Sequence, residues 1–361
     1  MKAALLHNVG DDKLDVRDDV TTTGVGPGKV RIRIRATGVC HSDLSAMNGT
    51  IPVAVPAVLG HEGAGEVVEV GAGVSTLAEG DHVVVCWSPQ CGSCKECVNG
   101  QPQLCMTYML NAFSDAHFAH GDGVPTFGMA GAGTFAEELI LLEHGAVKIS
   151  PDVPYDVASL LGCGVMTGVG AAINAARVEP GSSVVVFGCG GVGISVIQGA
   201  RIAGAATIVA VDMVERKLDW AKQFGATHAV KPEELALVQL DLTGGAGFDY
   251  AFEVVGRGQT IKAAYDATRR GGTTVVVGVG RAEDMVEFSA FDLFYNEKNL
   301  RGTYYGSANI RRDFPRLLAL WRSGQLDLEG MITRRLGLED VNDAFAAMSS
   351  GEVIRQVITF D

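Results

Sequence analysis

The chain has 361 residues, 47% hydrophobic and 20% charged, a composition ordinary for a folded protein that excludes wholesale disorder. The length predicts two domains. The net charge of −13 makes the chain a poor ligand for polyanions, so we expect neither nucleic acid nor an anionic membrane as a partner. Glycine is over-represented, with 47 residues, which predicts many tight turns.

Neither a secretory signal nor a membrane span is evident in the sequence. Asp11 and Asp12 closely follow a short apolar run near the amino terminus, whereas a signal needs a longer apolar core. The uncharged stretches 157–176 and 180–200 are long enough to cross a bilayer, but glycines interrupt both, which favours a buried helix and a buried strand. We expect a cytoplasmic protein whose eight cysteines serve metal binding rather than disulfides.

Residues 1–150 are predicted to be rich in β-strands. In residues 29–36, apolar side chains alternate with charged ones, which is the pattern of a half-buried strand. Residues 66–70 and 82–86 are further short apolar runs near glycines. No long helical period is present in this part of the sequence, so we expect a β-rich domain.

Cys40, His61 and Cys163 are candidate ligands of one metal ion. Two sulfurs and one imidazole leave a fourth position for water or substrate, which is the arrangement of catalytic zinc sites. Asp43 can accept the second ring N–H of His61 and fix its tautomer, and Glu62 adds a carboxylate outside the ligand set. Each residue alone also fits an ordinary position, such as a turn for His61 or core packing for Cys163.

Four closely spaced cysteines predict a second metal site. Cys91, Cys94, Cys97 and Cys105 lie within one short segment and can close a tetrahedral site around zinc. A site of four sulfurs has no open position, so its role would be structural. The alternatives are an iron–sulfur cluster, which uses a similar spacing, and four unligated thiols.

Trp87 and the segment 106–133, which is predicted to be a loop, are expected to face a substrate pocket. The segment is rich in Met and Phe and contains no Lys or Arg, so it favours a neutral hydrophobic substrate over an anionic one. Its histidines and aspartates are expected to be solvated. The residues predicted to line the pocket are Trp87, Met109, Leu110 and Met129.

From Ser182 the pattern changes to strands that alternate with helices. This alternation is typical of a parallel sheet covered by helices on both faces. The strands are predicted at 184–187, 207–211, 249–255 and 273–279, and the helices of the same region at 191–203 and 215–224. Two short helices, 314–323 and 338–350, and a final strand, 353–360, are predicted to follow.

A glycine-rich loop joins the first strand of this region to its first helix. It has the Gly-x-Gly-x-x-Gly pattern of dinucleotide-binding loops in the required strand–loop–helix context, and the free N–H groups at the start of the helix suit a pyrophosphate. Asp212, after the next strand, can hold both ribose hydroxyls and would repel a 2′-phosphate, which favours NAD over NADP. The loop residues assigned to the cofactor are Gly188, Gly190, Gly191, Val192 and Gly193.

On these motifs the sequence resembles the zinc-dependent medium-chain alcohol dehydrogenases over essentially its whole length. The resemblance implies an α/β protein with a β-rich GroES-like barrel domain and a Rossmann domain with a doubly wound parallel sheet. It also implies NAD, two zinc ions per chain and a homodimer or homotetramer. We place the GroES-like domain at 1–164 and 305–361 and the Rossmann domain at 165–304. The motifs that carry the resemblance are Cys40-His41-Ser42-Asp43, Gly60-His61-Glu62-x2-Gly65-x5-Gly71, the four cysteines, Gly162-Cys163-Gly164, and the glycine-rich loop with Asp212.

The resemblance implies roles for individual residues. Cys40, His61 and Cys163 would bind the catalytic zinc, and Ser42 would pass the alcohol proton outward. Many relatives end this proton path with a histidine where this chain has Ser45, so the path beyond Ser42 stays open. The implied coenzyme contacts are His41 and Arg355 at the pyrophosphate, Lys217 at the adenosine ribose, and Thr167, Val254, Val277 and Val279 at the nicotinamide.

The implied activity is the NAD-linked interconversion of hydrophobic or aromatic alcohols with aldehydes or ketones. Close relatives oxidise thiol adducts of formaldehyde, so an S-hydroxymethyl adduct is the alternative substrate. Mycothiol fits better than glutathione, because the segment 106–133 offers no arginine for the glutathione carboxylates. A non-enzymatic nucleotide-binding protein is a third interpretation, which the presence of all three catalytic ligands disfavours.

Overall fold

The computed structural model describes residues 1–111 and 113–360, and the chain falls into two compact units. The first unit comprises residues 1–163, 309–321 and the chain from Leu328 onward. The second unit comprises residues 164–308 and 322–327. The domain boundaries proposed above from the sequence stay a prediction.

The amino-terminal part of the first unit is mostly β-structure. Its described strands are β1 (Ala3–Leu6), β2 (Asp15–Arg17), β3 (Thr21–Thr22), β4 (Lys29–Val39), β5 (Ala57–Val58), β6 (Glu62–Val70), β7 (His82–Val85), β8 (Phe118–His120), β9 (Val124–Gly128), β10 (Glu138–Leu142) and β11 (Ala146–Lys148). Short helices lie between them, namely α1 (His41–Met47), α2 (Lys95–Val98), α3 (Met106–Asn111) and α4 (Tyr155–Ser159). Single 3₁₀ turns occur at Pro102–Leu104, Met129–Gly131, Glu143–Gly145 and Leu160–Gly162.

The second unit alternates strands and helices. It begins with α5 (Gly164–Gly170), which continues as a π-helix over Ala171–Ala176. Its strands are β12 (Ser183–Phe187), β13 (Thr207–Val211), β14 (His228–Val230), β15 (Phe248–Glu253), β16 (Thr268–Val276) and β17 (Asn299–Gly302). Its other helices are α6 (Gly191–Ile202), α7 (Glu215–Gln223), α8 (Leu235–Thr243), α9 (Gly258–Ala267) and α10 (Ala290–Tyr295), with 3₁₀ turns at Pro232–Glu234 and Tyr305–Ser307.

The carboxy-terminal part of the chain completes the set of elements. In order these are α11 (Ile310–Arg322), a 3₁₀ turn (Glu329–Met331), β18 (Ile332–Leu336), a second 3₁₀ turn (Leu338–Asp340), α12 (Val341–Ser349) and β19 (Arg355–Thr359).

Among the described residues, no single helix is long and apolar enough to cross a membrane. In the described part of the chain, one pair of consecutive segments, Tyr155–Gly162 and Gly164–Ala176, reaches the required length and composition when taken together, with a bend of 56° between them.

Strand β4 is central to the first unit. It lies within a seven-stranded sheet of order β11-β7-β6-β4-β19-β18, in which β10 also pairs with β4. Val30, Ile32 and Ile34 of β4 are buried, whereas the arginines between them are half-buried or exposed. This burial pattern explains the alternation in the sequence, because successive side chains of a strand point to opposite faces.

One hydrophobic core joins the two sheets of the first unit. The second sheet has six strands in the order β2-β1-β5-β9-β8-β3. Leu5 and Phe118 from this sheet belong to the same buried cluster as Ile32 and Leu139 from the seven-stranded sheet. Strands β4 and β6 pair with each other and contribute side chains to this core, which fixes the end of β4 and the start of β6.

The six strands of the second unit are parallel and have the order β14-β13-β12-β15-β16-β17. In chain order this is the 3-2-1-4-5-6 arrangement of a doubly wound dinucleotide-binding sheet. Val184, Val185 and Val186 of β12 are all buried. Such a continuous apolar run fits a strand covered on both faces.

The segment 106–133, predicted to be a loop, contains α3 and an antiparallel hairpin of β8 and β9. His117, predicted to be solvated, is buried, and its Nε2 lies 3.1 Å from the carbonyl oxygen of Ala132. Burial lowers the pKa of this histidine. The prediction was wrong because the hairpin is held by pairing with β3 and β5, which lie far away in the sequence.

Replacement of Gly65 by alanine tests the packing of β6 on β4. A Cβ at Gly65 would collide with the carbonyl oxygen of Arg33 in the neighbouring strand. We expect the free energy of unfolding to fall by about 2 kcal/mol, because the strands must move apart. Gly24→Ala is the matched control, since a Cβ there meets nothing within 4 Å. Urea unfolding followed by circular dichroism measures both variants, and equal unfolding midpoints would contradict the packing argument.

Candidate functional site

Four buried side chains from distant parts of the chain converge in the first unit. One possible ligand atom from each of Cys40, His61, Glu62 and Cys163 lies within 4.8 Å of the others. Cys40 follows β4 and is the N-cap of α1, His61 and Glu62 stand at the start of β6, and Cys163 follows a 3₁₀ turn. The pairing of β4 with β6 therefore brings the first three together.

Asp43 holds this group in place. Its carboxylate is fully buried and accepts hydrogen bonds from the N–H of Cys40 (3.0 Å), the N–H of Gly60 (3.1 Å) and Nδ1 of His61 (3.0 Å). Because a carboxylate only accepts, the neutral ring that a metal binds would carry its proton on Nδ1 and present a lone pair at Nε2. Burial opposes the charged ring, but the Asp43 carboxylate raises the pKa of His61 well above its usual value. Within the described part of the chain, this buried Nε2 has no hydrogen-bond partner. A buried polar atom without a partner is costly, and a metal ion would satisfy it.

The two sulfurs of this group differ in acidity. A hydrogen bond from the Cys163 thiol, together with the nearby His61 ring, holds the pKa of Cys40 well below its usual value despite burial. The same hydrogen bond and burial raise the pKa of Cys163. Thiolates and neutral imidazoles are the forms that bind metals. In those forms, the two sulfurs and the imidazole would hold a zinc ion with a fourth position left open.

Glu62 is paired with Arg355, a contact that the sequence does not predict. The guanidinium donates to Oε2 of Glu62 across 293 positions of sequence, and both side chains are buried. The pair packs against Gly38 of β4, where a Cβ would collide with the carboxylate. Burial raises the pKa of Glu62 to about 7, although Arg355 opposes the shift. The pyrophosphate contact implied for Arg355 stays a prediction, and Glu62 is its partner in the structure.

The four cysteines of the segment 91–105 form a second compact cluster. Their sulfurs lie within 4.8 Å of one another, with 4.0 Å between Cys91 and Cys97 and 3.8 Å between Cys94 and Cys105. Four sulfurs bound tetrahedrally to one zinc lie about 3.8 Å apart. An iron–sulfur cluster attaches its cysteines to several irons and so holds the sulfurs farther apart. The spacing therefore fits a single zinc ion better than a cluster.

Backbone N–H groups point at this second cluster. Those of Ser93 and Cys94 lie 3.5 and 3.2 Å from the sulfur of Cys91, and the N–H of Cys91 lies 3.4 Å from the sulfur of Cys105. The hydrogen bonds from Ser93 and from the Thr107 hydroxyl lower the pKa of Cys91 to about 5. The loop thus favours a thiolate at Cys91, the form that binds a metal, whereas burial raises the pKa of Cys97.

The glycine-rich loop of the second unit leaves room for a ligand. Gly188 follows β12 with φ +96°, and Gly190 is the N-cap of α6. A Cβ at Gly193 would collide with the carbonyl oxygen of Gly188, whereas a Cβ at Gly190 would meet nothing within 4 Å. Gly193 therefore permits close packing of helix and strand, and Gly190 faces open space beside the helix N-terminus, as a pyrophosphate site requires.

Asp212 stands directly after β13, beside this loop. Its carboxylate accepts from the N–H of Cys189 at 2.8 Å and from the N–H of Val214 at 3.0 Å. The acidic group is therefore held in one orientation at the carboxyl edge of the sheet. Cys189 itself is buried, and burial raises the pKa of its thiol, so it is a packing residue.

The remaining predicted site residues lie on several elements. In the first unit, His41 and Ser42 begin α1, the rings of Trp87 and His61 meet edge-on with centroids 6.2 Å apart, and Met109 and Leu110 are exposed on α3. Met129 instead belongs to the buried hydrophobic core. In the second unit, Thr167 lies on α5 and Lys217 on α7, Val277 is buried, Val254 is half-buried and Val279 is exposed.

Two family descriptions match this chain. Residues 26–152 match the alcohol dehydrogenase GroES-like domain, and residues 191–323 match the zinc-binding dehydrogenase domain. The first match lies within the first unit, and the second covers most of the second unit together with residues 309–321 of the first.

Similar proteins are found among curated sequences and solved structures. An alcohol dehydrogenase class-3 of Cereibacter sphaeroides is 38% identical over 361 residues, with 95% of each chain covered. An S-(hydroxymethyl)glutathione dehydrogenase of Paracoccus denitrificans is 37% identical over 360 residues, again with 95% of each covered. The crystal structure of benzyl alcohol dehydrogenase from Acinetobacter calcoaceticus has a TM-score of 0.92 at 31% identity and covers 100% of this chain and 99% of its own.

Replacement of Asp43 by asparagine tests the three hydrogen bonds that hold the first cluster. An amide has one accepting oxygen, and its NH₂ group would face an N–H donor, so the His61 ring loses its fixed orientation. We expect zinc to bind about 10- to 100-fold more weakly at this site. Competition with a chelator measures the affinity, and Asp18→Asn, at an exposed position, is the control. Unchanged zinc retention in Asp43→Asn would show that the carboxylate does not hold the ligand.

Proposed function

The chain belongs to the zinc-dependent medium-chain alcohol dehydrogenases, and on this premise we propose that it interconverts hydrophobic or aromatic alcohols with aldehydes or ketones, using NAD. Family membership confirms the resemblance, the oxidoreductase class and the pairing of a GroES-like with a Rossmann domain. The observation that carries the proposal is the buried set of two sulfurs and one imidazole, whose Nε2 has no hydrogen-bond partner among the described residues.

Each residue of this set has a definable task in the proposed reaction. Cys40, Cys163 and Nε2 of His61 would hold the catalytic zinc, and Asp43 orients the imidazole. When bound, zinc supplies a Lewis acid for the alcohol oxygen, and NAD supplies the hydride acceptor. Ser42, on α1 beside Cys40, would take the alcohol proton outward. The four cysteines of the segment 91–105 would hold the structural zinc.

The coenzyme preference rests on Asp212. A carboxylate fixed at the end of β13 can accept from both ribose hydroxyls and would repel a 2′-phosphate, which supports NAD as the coenzyme. The loop from Gly188 to Gly193 would take the pyrophosphate. The other coenzyme contacts, carried over from the family resemblance, are His41, Thr167, Lys217, Val254, Val277, Val279 and Arg355.

The substrate preference rests on the segment 106–133 and on Trp87. This segment has no cation of its own, and its Asp115 is paired with Lys29 at 2.5 Å. A neutral apolar alcohol therefore suits this part of the unit better than an anion. The exposed Met109 and Leu110 are the pocket residues that we propose from this segment.

A second candidate substrate is an S-hydroxymethyl thiol adduct. The relative from Paracoccus denitrificans carries that activity in its name. Mycothiol is favoured over glutathione, because the segment 106–133 provides no Lys or Arg for two carboxylates. Formaldehyde oxidation that requires a thiol would identify this reaction.

A rate screen tests the proposed function. With NAD, we expect turnover of benzyl alcohol and hexanol, and slow turnover with NADP. Formaldehyde is assayed with and without mycothiol and glutathione. Cys40→Ser is the matched inactive variant, and we expect it to bind NAD, because Cys40 lies outside the glycine-rich loop. Strict thiol dependence would replace the simple-alcohol proposal by the adduct proposal, and full activity of Cys40→Ser would contradict the metal assignment.

We also propose that the chain forms a homodimer through the edge of its parallel sheet. Strand β17 is at that edge, and all four of its residues are exposed. The neighbouring α10 presents Phe291, Phe294 and Tyr295 with 68, 80 and 54% of their surfaces exposed. An edge strand beside exposed aromatic residues is a self-pairing site, because two copies related by a twofold axis can continue one sheet.

Phe294→Asp tests this edge. The proposed interface would bury residue 294, and a buried unpaired charge is unfavourable. We therefore expect light scattering to give a lower molecular mass for this variant than for the unmodified chain. Leu237→Asp on α8 is the matched control, since Leu237 is a similarly exposed apolar residue away from β17. Equal masses for Phe294→Asp and the unmodified chain would contradict the proposed interface.

A further inference from the structure

The second unit contains a buried carboxylate that the coenzyme contacts proposed above do not use. Glu253 is the last residue of β15 and is fully buried. It stands in register with Phe187 of β12 on one side and with Val276 of β16 on the other. The strand order reverses between β12 and β15, and dinucleotides bind across the crevice at such a reversal. Glu253 thus lies where the two halves of the proposed coenzyme site meet.

One oxygen of Glu253 fixes the turn that follows β15. Its Oε1 accepts from the N–H of Val255 at 2.9 Å and from the N–H of Gly256 at 2.7 Å, and it lies 2.6 Å from the hydroxyl of Thr260. Its Oε2 is buried without a hydrogen-bond partner among the described residues. Without the carboxylate, the two adjacent N–H groups would lose their acceptor, which is unfavourable for each group that stays buried.

The turn 254–256 touches the neighbouring loops closely. A Cβ at Gly256 would lie 2.6 Å from the carbonyl carbon of Val279, and a Cβ at Gly278 would lie 2.7 Å from Cα of Gly256. A Cβ at Gly188 would lie 2.9 Å from the side chain of Val255. Because these backbones have no spare room, the position of the turn decides the shape of the loops after β12 and β16.

We propose that Glu253 is a positioning residue that fixes the turn 254–256 and thereby shapes the half of the coenzyme site that binds the nicotinamide nucleotide. The inference rests on the proposed function, in which Asp212 holds the adenosine ribose. Asp212 follows β13, which lies on the opposite side of β12 from β15. The adenosine half therefore lies over β12 and β13, and the nicotinamide half lies over β15 and β16. Glu253 acts on the second half only.

Binding of NADH and of ADP-ribose, which lacks the nicotinamide, separates the two halves. Glu253→Leu removes the acceptor at similar volume, whereas Glu253→Gln keeps one accepting oxygen. Titration calorimetry on the full zinc-loaded chain measures both ligands. For Glu253→Leu we expect NADH to bind about tenfold more weakly, the equivalent of one lost buried hydrogen bond, with ADP-ribose affinity unchanged. Glu253→Gln restores NADH affinity towards that of the unmodified chain.

Asp249→Leu is the matched control within the same strand. Its carboxylate also accepts from a backbone N–H and a hydroxyl, those of Ser183, but at the amino end of the sheet. We expect this variant to lose stability and to keep its NADH affinity. Should Glu253→Leu fail to fold, Glu253→Met replaces it, because its thioether has similar volume and is only a weak acceptor, and the same selective loss is expected.

Three results would overturn the inference. They are unchanged NADH affinity in the Leu or Met variant, equal losses of NADH and ADP-ribose affinity, and a glutamine variant as defective as the leucine variant. Failure of the unmodified chain to bind either ligand would instead refute the proposed function, so the two failures are distinguishable.

Discussion

The chemistry of the first unit depends on the three hydrogen bonds that the buried carboxylate of Asp43 accepts. They tie the residue after β4 to the residues before β6, namely Cys40 to Gly60 and His61. They also fix the tautomer of the imidazole, since the proton must lie on Nδ1 for the hydrogen bond to form. Nε2 then lies within 4.8 Å of the sulfurs of Cys40 and Cys163, and it has no hydrogen-bond partner among the described residues. A single acidic group therefore sets both the position and the chemical state of a ligand.

Both units also depend on close approaches to the backbone at positions where only glycine fits. In the first unit, Gly38 makes room for the buried Glu62–Arg355 pair beside the ligands. In the second unit, Gly193 allows α6 to pack on the end of β12, and Gly256 allows the turn after β15 to pack on the end of β16. Some of the many glycines of the chain thus lie where a side chain would displace the proposed metal ligands or the loops proposed to bind the coenzyme.

Local patterns predicted much of this organisation, because the chemistry they encode acts over short distances. The cysteine segment, the glycine-rich loop and the alternation along β4 each lie within a few residues, so spacing alone carries their meaning. The hairpin of β8 and β9 was missed, and with it the burial of His117, because distant strands hold that hairpin in place. The pocket role predicted for Met129 stays a prediction, and the residue packs within the core.

The sequence by itself predicted the candidate donor atoms and four of the six described strands of the second unit, since these follow from residue types at fixed spacing, and its motifs carried the family resemblance. The short strand β14 and the exposed edge strand β17 were not predicted. Tertiary structure alone decided that Arg355 pairs with Glu62 and that Glu253 holds the turn after β15. The physical reason is that a buried charge takes its partner from whichever segment the fold brings within hydrogen-bonding distance. Distance along the chain carries no information about that choice.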